Sequence, residues 1–365
     1  MSSVQGAENR LFEVLREPER MAGLDLADWD LLVRQARTAR LLGRLAAQAE
    51  RLGLLERLPE PVRPHLEAAA RLADKHRAVM EWEIRQVQRV LGPVCQKIVL
   101  LKGAAYVAAR LPPATGRLFS DLDILVPKAD LTQVEQTLLA AGWEPLKLHP
   151  YDQRYYRAWM HELPPLEHRV RHTTLDVHHT ILPQTGRLHP DAERLLADAP
   201  PLREKPLYIL NPQDMLLHSA AHLFQDGQIG GALRDLVDMA DLVRHFGQEP
   251  GFWTQLLGRA RQLELARPLW YALVHLGWVF PGLVPEEVIR EARPDRPPWP
   301  IRPLINLLIR RALRPELSEQ DTWLGRTARL MLYIRSHWLR MPPGLLLQHL
   351  VHKTLRRWRG EETSP

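Results

Sequence analysis

The chain has a single cysteine, Cys95, in 365 residues. That excludes an intrachain disulfide framework and any multi-cysteine metal site. A lone thiol beside an apolar run reads as a core residue. Long hydrophobic runs are also missing: no window approaches the ~18 uninterrupted apolar residues that a membrane span needs. The opening residues 1–9 (MSSVQGAEN) lack the basic-then-apolar pattern of a secretory signal, so a cytoplasmic protein is expected. There is no internal repeat and no long low-complexity segment. Nor is there a dense basic patch with interleaved aromatics, which argues against a dedicated nucleic-acid binder.

What is present is an ordinary globular composition, 45% apolar and 25% charged, in a chain long enough for two or three packed units. The formal net charge of +6 is modest for this length. It permits an anionic partner such as a nucleotide without arguing for nucleic acid.

Apolar spacings of three and four predict helices over residues 7–92, including one long helix over 66–91, after a proline-rich connector at 58–64. The character changes at 94–185. Residues 98–101 read as a buried strand and 104–111 as a short helix stopped by Pro112 and Pro113. Strands are predicted at 121–126, 143–148, 154–159, 166–170 and 173–180, with a helix at 129–141. From Asn211 the pattern is helical again, with Asn211 as N-cap and Pro212 at the first helical position. A proline-rich connector at 294–303 precedes a last basic helical region. The predicted organisation is an N-terminal helical region (1–92), an α/β core (93–185) and a C-terminal helical domain (186–365). The fold class is α+β, mostly helical overall.

The stretch richest in chemistry is Ile98 to Ala105 (IVLLKGAA), followed by Arg117 to Val126 (RLFSDLDILV). Asp121 and Asp123 are two apart on a strand, so they share a face. Two carboxylates in an apolar strand repel each other and resist burial. A bound divalent cation removes that problem, and enzymes of nucleotidyl and phosphoryl transfer hold Mg²⁺ in this way. Asp176 sits in the middle of the other convincing acidic strand, Leu175 to His179 (LDVHH). The stretch 124–175 leaves room for a helix and a hairpin, so that strand can return beside the first. Three carboxylates on adjacent strands would bind two Mg²⁺ and activate an acceptor hydroxyl for in-line attack on the α-phosphate. Gly103 suits a tight turn where backbone approaches a phosphate. Lys102 and Arg117 could neutralise a triphosphate.

The pattern Leu-Leu-Lys-Gly, then Arg-x-x-x-Asp-x-Asp-Ile-Leu-Val, then Leu-Asp-Val-His resembles the uncharacterised nucleotidyltransferase family of the polymerase-β-like superfamily, across roughly 90–245. Members are often encoded in bacterial polysaccharide or peptide biosynthesis clusters. The resemblance implies a minimal nucleotidyltransferase fold, a short mixed sheet backed by helices with helical additions. By position, Asp121 and Asp123 match its paired metal acids and Asp176 its third acid. His178 completes the family's Asp-x-His form and would touch phosphate or assist the acceptor. Better-known members of the superfamily carry Gly-Ser where this chain has Lys102 and Gly103. The implied activity moves a nucleoside monophosphate from an NTP to an acceptor hydroxyl with release of pyrophosphate, using Mg²⁺. The acceptor, a small molecule or a protein, is not legible. The alternative is a non-catalytic nucleotide-binding or assembly protein on the same scaffold.

Other features receive blander readings. His179, on the opposite strand face from His178, reads as structural. His218 and His222, four apart on a helix, could reach one metal, but no third ligand is obvious and the His-Glu-x-x-His glutamate is absent. Asp235, Asp238 and Asp241 share a helix face and read as solvated and salt-bridged. The second reading has Arg234 and Asp238 lining a nucleotide cleft, as the family carries similar residues there. The apolar and basic segment 344–359 packs against the helical domain or makes a weak contact with an anionic membrane surface.

Overall fold

The computed structural model describes residues 10–146, 149–203, 206–225, 231–315, 317 and 322–346. In chain order the N-terminal helices are α1 (Arg10–Arg16), α2 (Leu26–Thr38), α3 (Leu42–Arg51) and α4 (Arg63–Leu91). The middle of the chain gives β1 (Ile98–Leu100), α5 (Lys102–Ala108), β2 (Asp121–Leu125), α6 (Leu131–Ala140), β3 (Trp143–Pro145), α7 (Pro150–Trp159), β4 (Leu166–His168) and β5 (Thr174–His178). Then come α8 (Ala192–Ala197), β6 (Leu207–Ile209), α9 (Pro212–Gln225), α10 (Ala232–Phe246), α11 (Phe252–Gln262), α12 (Ala266–Val279), α13 (Glu286–Glu291), α14 (Arg302–Ala312) and α15 (Trp323–Arg340). The class is α+β and mostly helical, as the sequence predicts. Among the described residues no helix is long and apolar enough to cross a membrane. The membrane-contact reading of 344–359 lies, from residue 347 onward, outside the described residues.

One mixed sheet runs β3-β4-β5-β2-β1-β6. β2 and β5 are parallel neighbours, and β1 lies antiparallel to β2. β1 is short and wholly apolar because it is covered on both faces: Ile98, Val99 and Leu100 are fully buried. The long α4 packs on β2, α5 and α6, while α9 packs on α10, α11, α12 and α15. Asn211 and Asp214 cap α9 reciprocally, the Asp214 N–H donating to Asn211 Oδ1 at 2.8 Å and Asn211 Nδ2 to Asp214 Oδ2 at 2.8 Å. This is the start that the Asn-Pro signal predicts.

The strand predicted at 154–159 is a helix, α7. Pro150 stands in its first turn, and the His149 side chain accepts from the Tyr151 N–H at its N-terminus. The aromatics that looked like strand residues instead use helical spacing, with the Tyr155 and Trp159 rings meeting edge-to-face at 5.8 Å. Two short elements were not legible beforehand, α8 and β6. β6 gives the sheet an edge strand parallel to β1 from residues beyond 185. A three-residue strand is too short to carry an alternation pattern.

Candidate active site

β2 and β5 bring the acids together. Their parallel register sets Asp123 directly opposite Asp176, with Asp121 opposite Thr174. One oxygen from each of Asp121, Asp123 and Asp176 falls within 4.8 Å of the other two. Asp121 is the most exposed of the three and accepts a hydrogen bond from Ser120 Oγ at 2.8 Å. Asp123 is buried, and Lys102 Nζ lies 3.8 Å from its Oδ1. His178 Nε2 meets the same oxygen at 3.1 Å.

These neighbours divide the acids electrostatically. Burial works against charge on Asp123, but Lys102 and the His178 hydrogen bond outweigh it and hold its carboxyl well below the usual range. Asp176 goes the other way. Burial, then the charges of Asp123 and Glu162, push it well above an ordinary aspartate. Its Oδ1 is buried without a hydrogen-bond partner. An unsatisfied buried carboxylate oxygen costs on the order of 1–3 kcal/mol, and two more acids beside it add repulsion. A hard divalent cation bound through oxygens resolves both problems, so the donor set fits Mg²⁺.

Asp121 and Asp123 face a polar cavity of about 200 Å³, whose lining also includes Lys102, Gly103, Arg117 and Arg234; Asp176 does not reach that lining. Lys102 itself has φ +40°, in the left-handed region that side chains avoid. The Lys-Gly pattern points to Gly103 as the special backbone position. Its glycine is required for a different reason: a Cβ there would meet Phe119 Cδ1 at 2.8 Å. Arg117 is largely covered and ion-paired to Asp238, with its guanidinium 5.8 Å from the Tyr106 and Phe119 rings. Arg234 Nη2 holds Asp235 at 2.8 Å.

Asp235, Asp238 and Asp241 are salt-bridged as the sequence predicts, but the solvated part of that reading is overturned for Asp238 and Asp241. Asp238 and Asp241 are buried, and Arg44 from α3 reaches Asp241. Their face of α10 is turned onto largely covered arginines, so the charges pair instead of meeting water. Arg234, Asp235 and Asp238 all line the cavity, as does His222. His218 is buried, and burial, then Lys102 and His222, push it well below the ordinary histidine value. His179 is buried too.

Sequence reasoning missed Arg40, Ser219 and Tyr106 in the lining. Tyr106 and Ser219 hydrogen-bond to each other at 3.0 Å across α5 and α9. It also missed His161 and Glu162, which flank His178. No spacing signal links any of these to the acids, because they arrive from separate elements.

A family model described as an uncharacterised nucleotidyltransferase matches residues 25–281. No curated protein and no solved structure matches the chain.

Proposed function

The chain belongs to this uncharacterised nucleotidyltransferase family, and from that premise we propose that it is a Mg²⁺-dependent enzyme moving a nucleoside monophosphate from an NTP to an acceptor hydroxyl. The observation that carries this reading is the meeting of Asp121, Asp123 and Asp176 within 4.8 Å, beside a cavity lined by Lys102 and Arg234. Asp121, Asp123 and Asp176 would hold Mg²⁺. When bound, the ion supplies charge stabilisation for the α-phosphate and the attacking oxygen.

The chain's own groups do the rest. Lys102 would turn its ammonium from Asp123 to the triphosphate oxygens, and Arg117 would add positive potential from behind. The backbone at Gly103 would let the phosphates approach closely. His178 would hold Asp123 in orientation through its Nε2. Asp176 would either complete the metal site or, free of the ion, accept the acceptor's hydroxyl proton, a role that its raised proton affinity suits. A bond forms from the acceptor oxygen to the α-phosphorus, the α–β phosphoanhydride bond breaks, and pyrophosphate leaves.

The second reading, a non-catalytic nucleotide-binding or assembly protein, has one observation in its favour. Arg117 is engaged with Asp238, and Lys102 lies 3.8 Å from Asp123, so both cations already face protein acids. The deciding experiment is thermal unfolding with ATP, GTP, CTP and UTP, each with and without Mg²⁺, together with pyrophosphate release. Wild type should gain a Mg²⁺-dependent rise with at least one nucleotide. Asp121→Asn/Asp123→Asn should lose that rise and reduce turnover about 100-fold or more, since the metal's contribution is several kcal/mol. A retained Mg²⁺-dependent rise without pyrophosphate release, tested with sugar, small-molecule and protein acceptors, favours the binding protein. Turnover that survives both substitutions removes the metal site from the reading.

A further inference from the structure

Behind the carboxylate cluster lies a second group of ligating side chains. The segment 161–163 runs antiparallel to β5 and is pinned to it. Leu163 N–H donates to the Val177 carbonyl and His179 N–H to the His161 carbonyl, each at 2.9 Å, and Glu162 bridges His178. This pairing brings one ligand atom from each of His161, Glu162 and His178 within 4.8 Å of the others. His178 Nδ1 lies 3.4 Å from Glu162 Oε2, and His161 Nε2 lies 3.9 Å from the same oxygen. The two imidazoles stack with centroids 5.2 Å apart.

Two further observations point to a ligand. His161 and His178 are only 6% and 3% exposed, and the Nδ1 of each is buried without a hydrogen bond: that of His178 has only the Glu162 carboxylate as an ion-pair neighbour at 3.4 Å, while His161 turns its Nε2 toward the same oxygen. A buried ring nitrogen left in this state is costly unless something occupies it. In addition, the other nitrogen of His178 is already committed to Asp123 Oδ1 at 3.1 Å. A carboxylate on one imidazole nitrogen, with the other nitrogen aimed at ligating groups, is the arrangement that orients a metal-binding histidine.

We propose that His161, Glu162 and His178 form a second site, for a zinc-class divalent cation, separated from the carboxylate cluster by the His178 ring. Two imidazoles and one carboxylate suit Zn²⁺ or Co²⁺, whereas Mg²⁺ selects oxygen ligands. Three protein ligands leave one position for water. Occupancy fixes His178 with Nδ1 on the metal and its Nε2–H donating to Asp123, so the second cation steadies an acid of the first cluster. The competing explanation is a charged His178 bridging Asp123 and Glu162 with no metal at all.

The test uses chelator-stripped full-length protein, Zn²⁺ in competition with a chromophoric chelator, and Co²⁺ as a spectroscopic probe. One tight Zn²⁺ equivalent is expected, retained by Asp121→Asn/Asp176→Asn. His161→Gln and Glu162→Gln should each weaken it at least about tenfold, because even changes behind the ligands cost about 10–100-fold. The metal-free melting points of the variants report whether they fold. If they do not, wild-type Co²⁺ decides: paramagnetically shifted exchangeable protons from two imidazoles support the site. A wild type that cannot compete with the chelator overturns the proposal. So does Zn²⁺ binding that is lost in Asp121→Asn/Asp176→Asn but intact in His161→Gln, and so does a Co²⁺ spectrum without imidazole protons.

Discussion

At the residue scale, the three acids are unlike one another although they are chemically identical. Asp123 is held ionised by Lys102 and His178, while burial and the charges of Asp123 and Glu162 make Asp176 reluctant to ionise. This gives metal binding a sign with pH. In the metal-free protein Asp176 keeps its proton up to its raised pKa, and a ligating carboxylate must lose it. Mg²⁺ binding should therefore release up to one proton below that pKa and none above it, and Mg²⁺ affinity should fall as pH falls. Calorimetry in two buffers of different ionisation enthalpy measures the release. Asp176→Asn should abolish it. Proton release unchanged by that substitution would assign the linkage elsewhere.

At the scale of elements, the site rests on the parallel pairing of β2 with β5 and on the entry to α5. Both acidic strands were legible because each combines an apolar run with an acid at an inward-facing position, which has few bland explanations. The entry to α5 was only half legible. The sequence marks a Lys-Gly turn, but not that Lys102 takes the left-handed backbone or that Phe119 packs against Gly103. Gly103→Ala should then cost about 1–3 kcal/mol through overpacking, read as a lowered urea midpoint. Adding Phe119→Leu, which removes the opposing ring, should recover part of that loss. Strictly additive losses would mean the ring is not what excludes a side chain there. The strand expected at 154–159 gives way to a helix for a related reason. Aromatic residues favour strands in general, but here the proline start, the His149 cap and ring contacts at helical spacing outweigh that preference.

At the scale of the whole molecule, the N- and C-terminal helical regions meet behind the site. Arg44 of α3 reaches Asp241 of α10, and burial pulls its guanidinium down to about 10. Beside this pair, Gly43 and Gly116 touch through their backbones, so closely that a Cβ on Gly43 would lie 2.5 Å from the Gly116 carbonyl oxygen. Removing one partner of a buried pair leaves the other charge uncompensated, at about 3–5 kcal/mol. Arg44→Met should lose that much stability by denaturant titration, and Arg44→Met/Asp241→Asn should lose less than the single variant. A double variant weaker than Arg44→Met would mean that Asp241 is stabilised mainly by Arg244, 3.2 Å away.

The α+β class, the two acidic strands, the Asn211 helix start and the family are all legible in the amino-acid order. Each of these is written in local periodicity or in a short contiguous motif. Tertiary structure alone decided which cations Asp238 and Asp241 pair with, that Arg117 faces Asp238, and that His161 and Glu162 flank His178. Those relations join residues far apart in the chain, and long-range pairing leaves no period or spacing to read. Whether a charge is solvated or buried depends on what packs over it, and for α10 that is an arginine from near the other end of the chain.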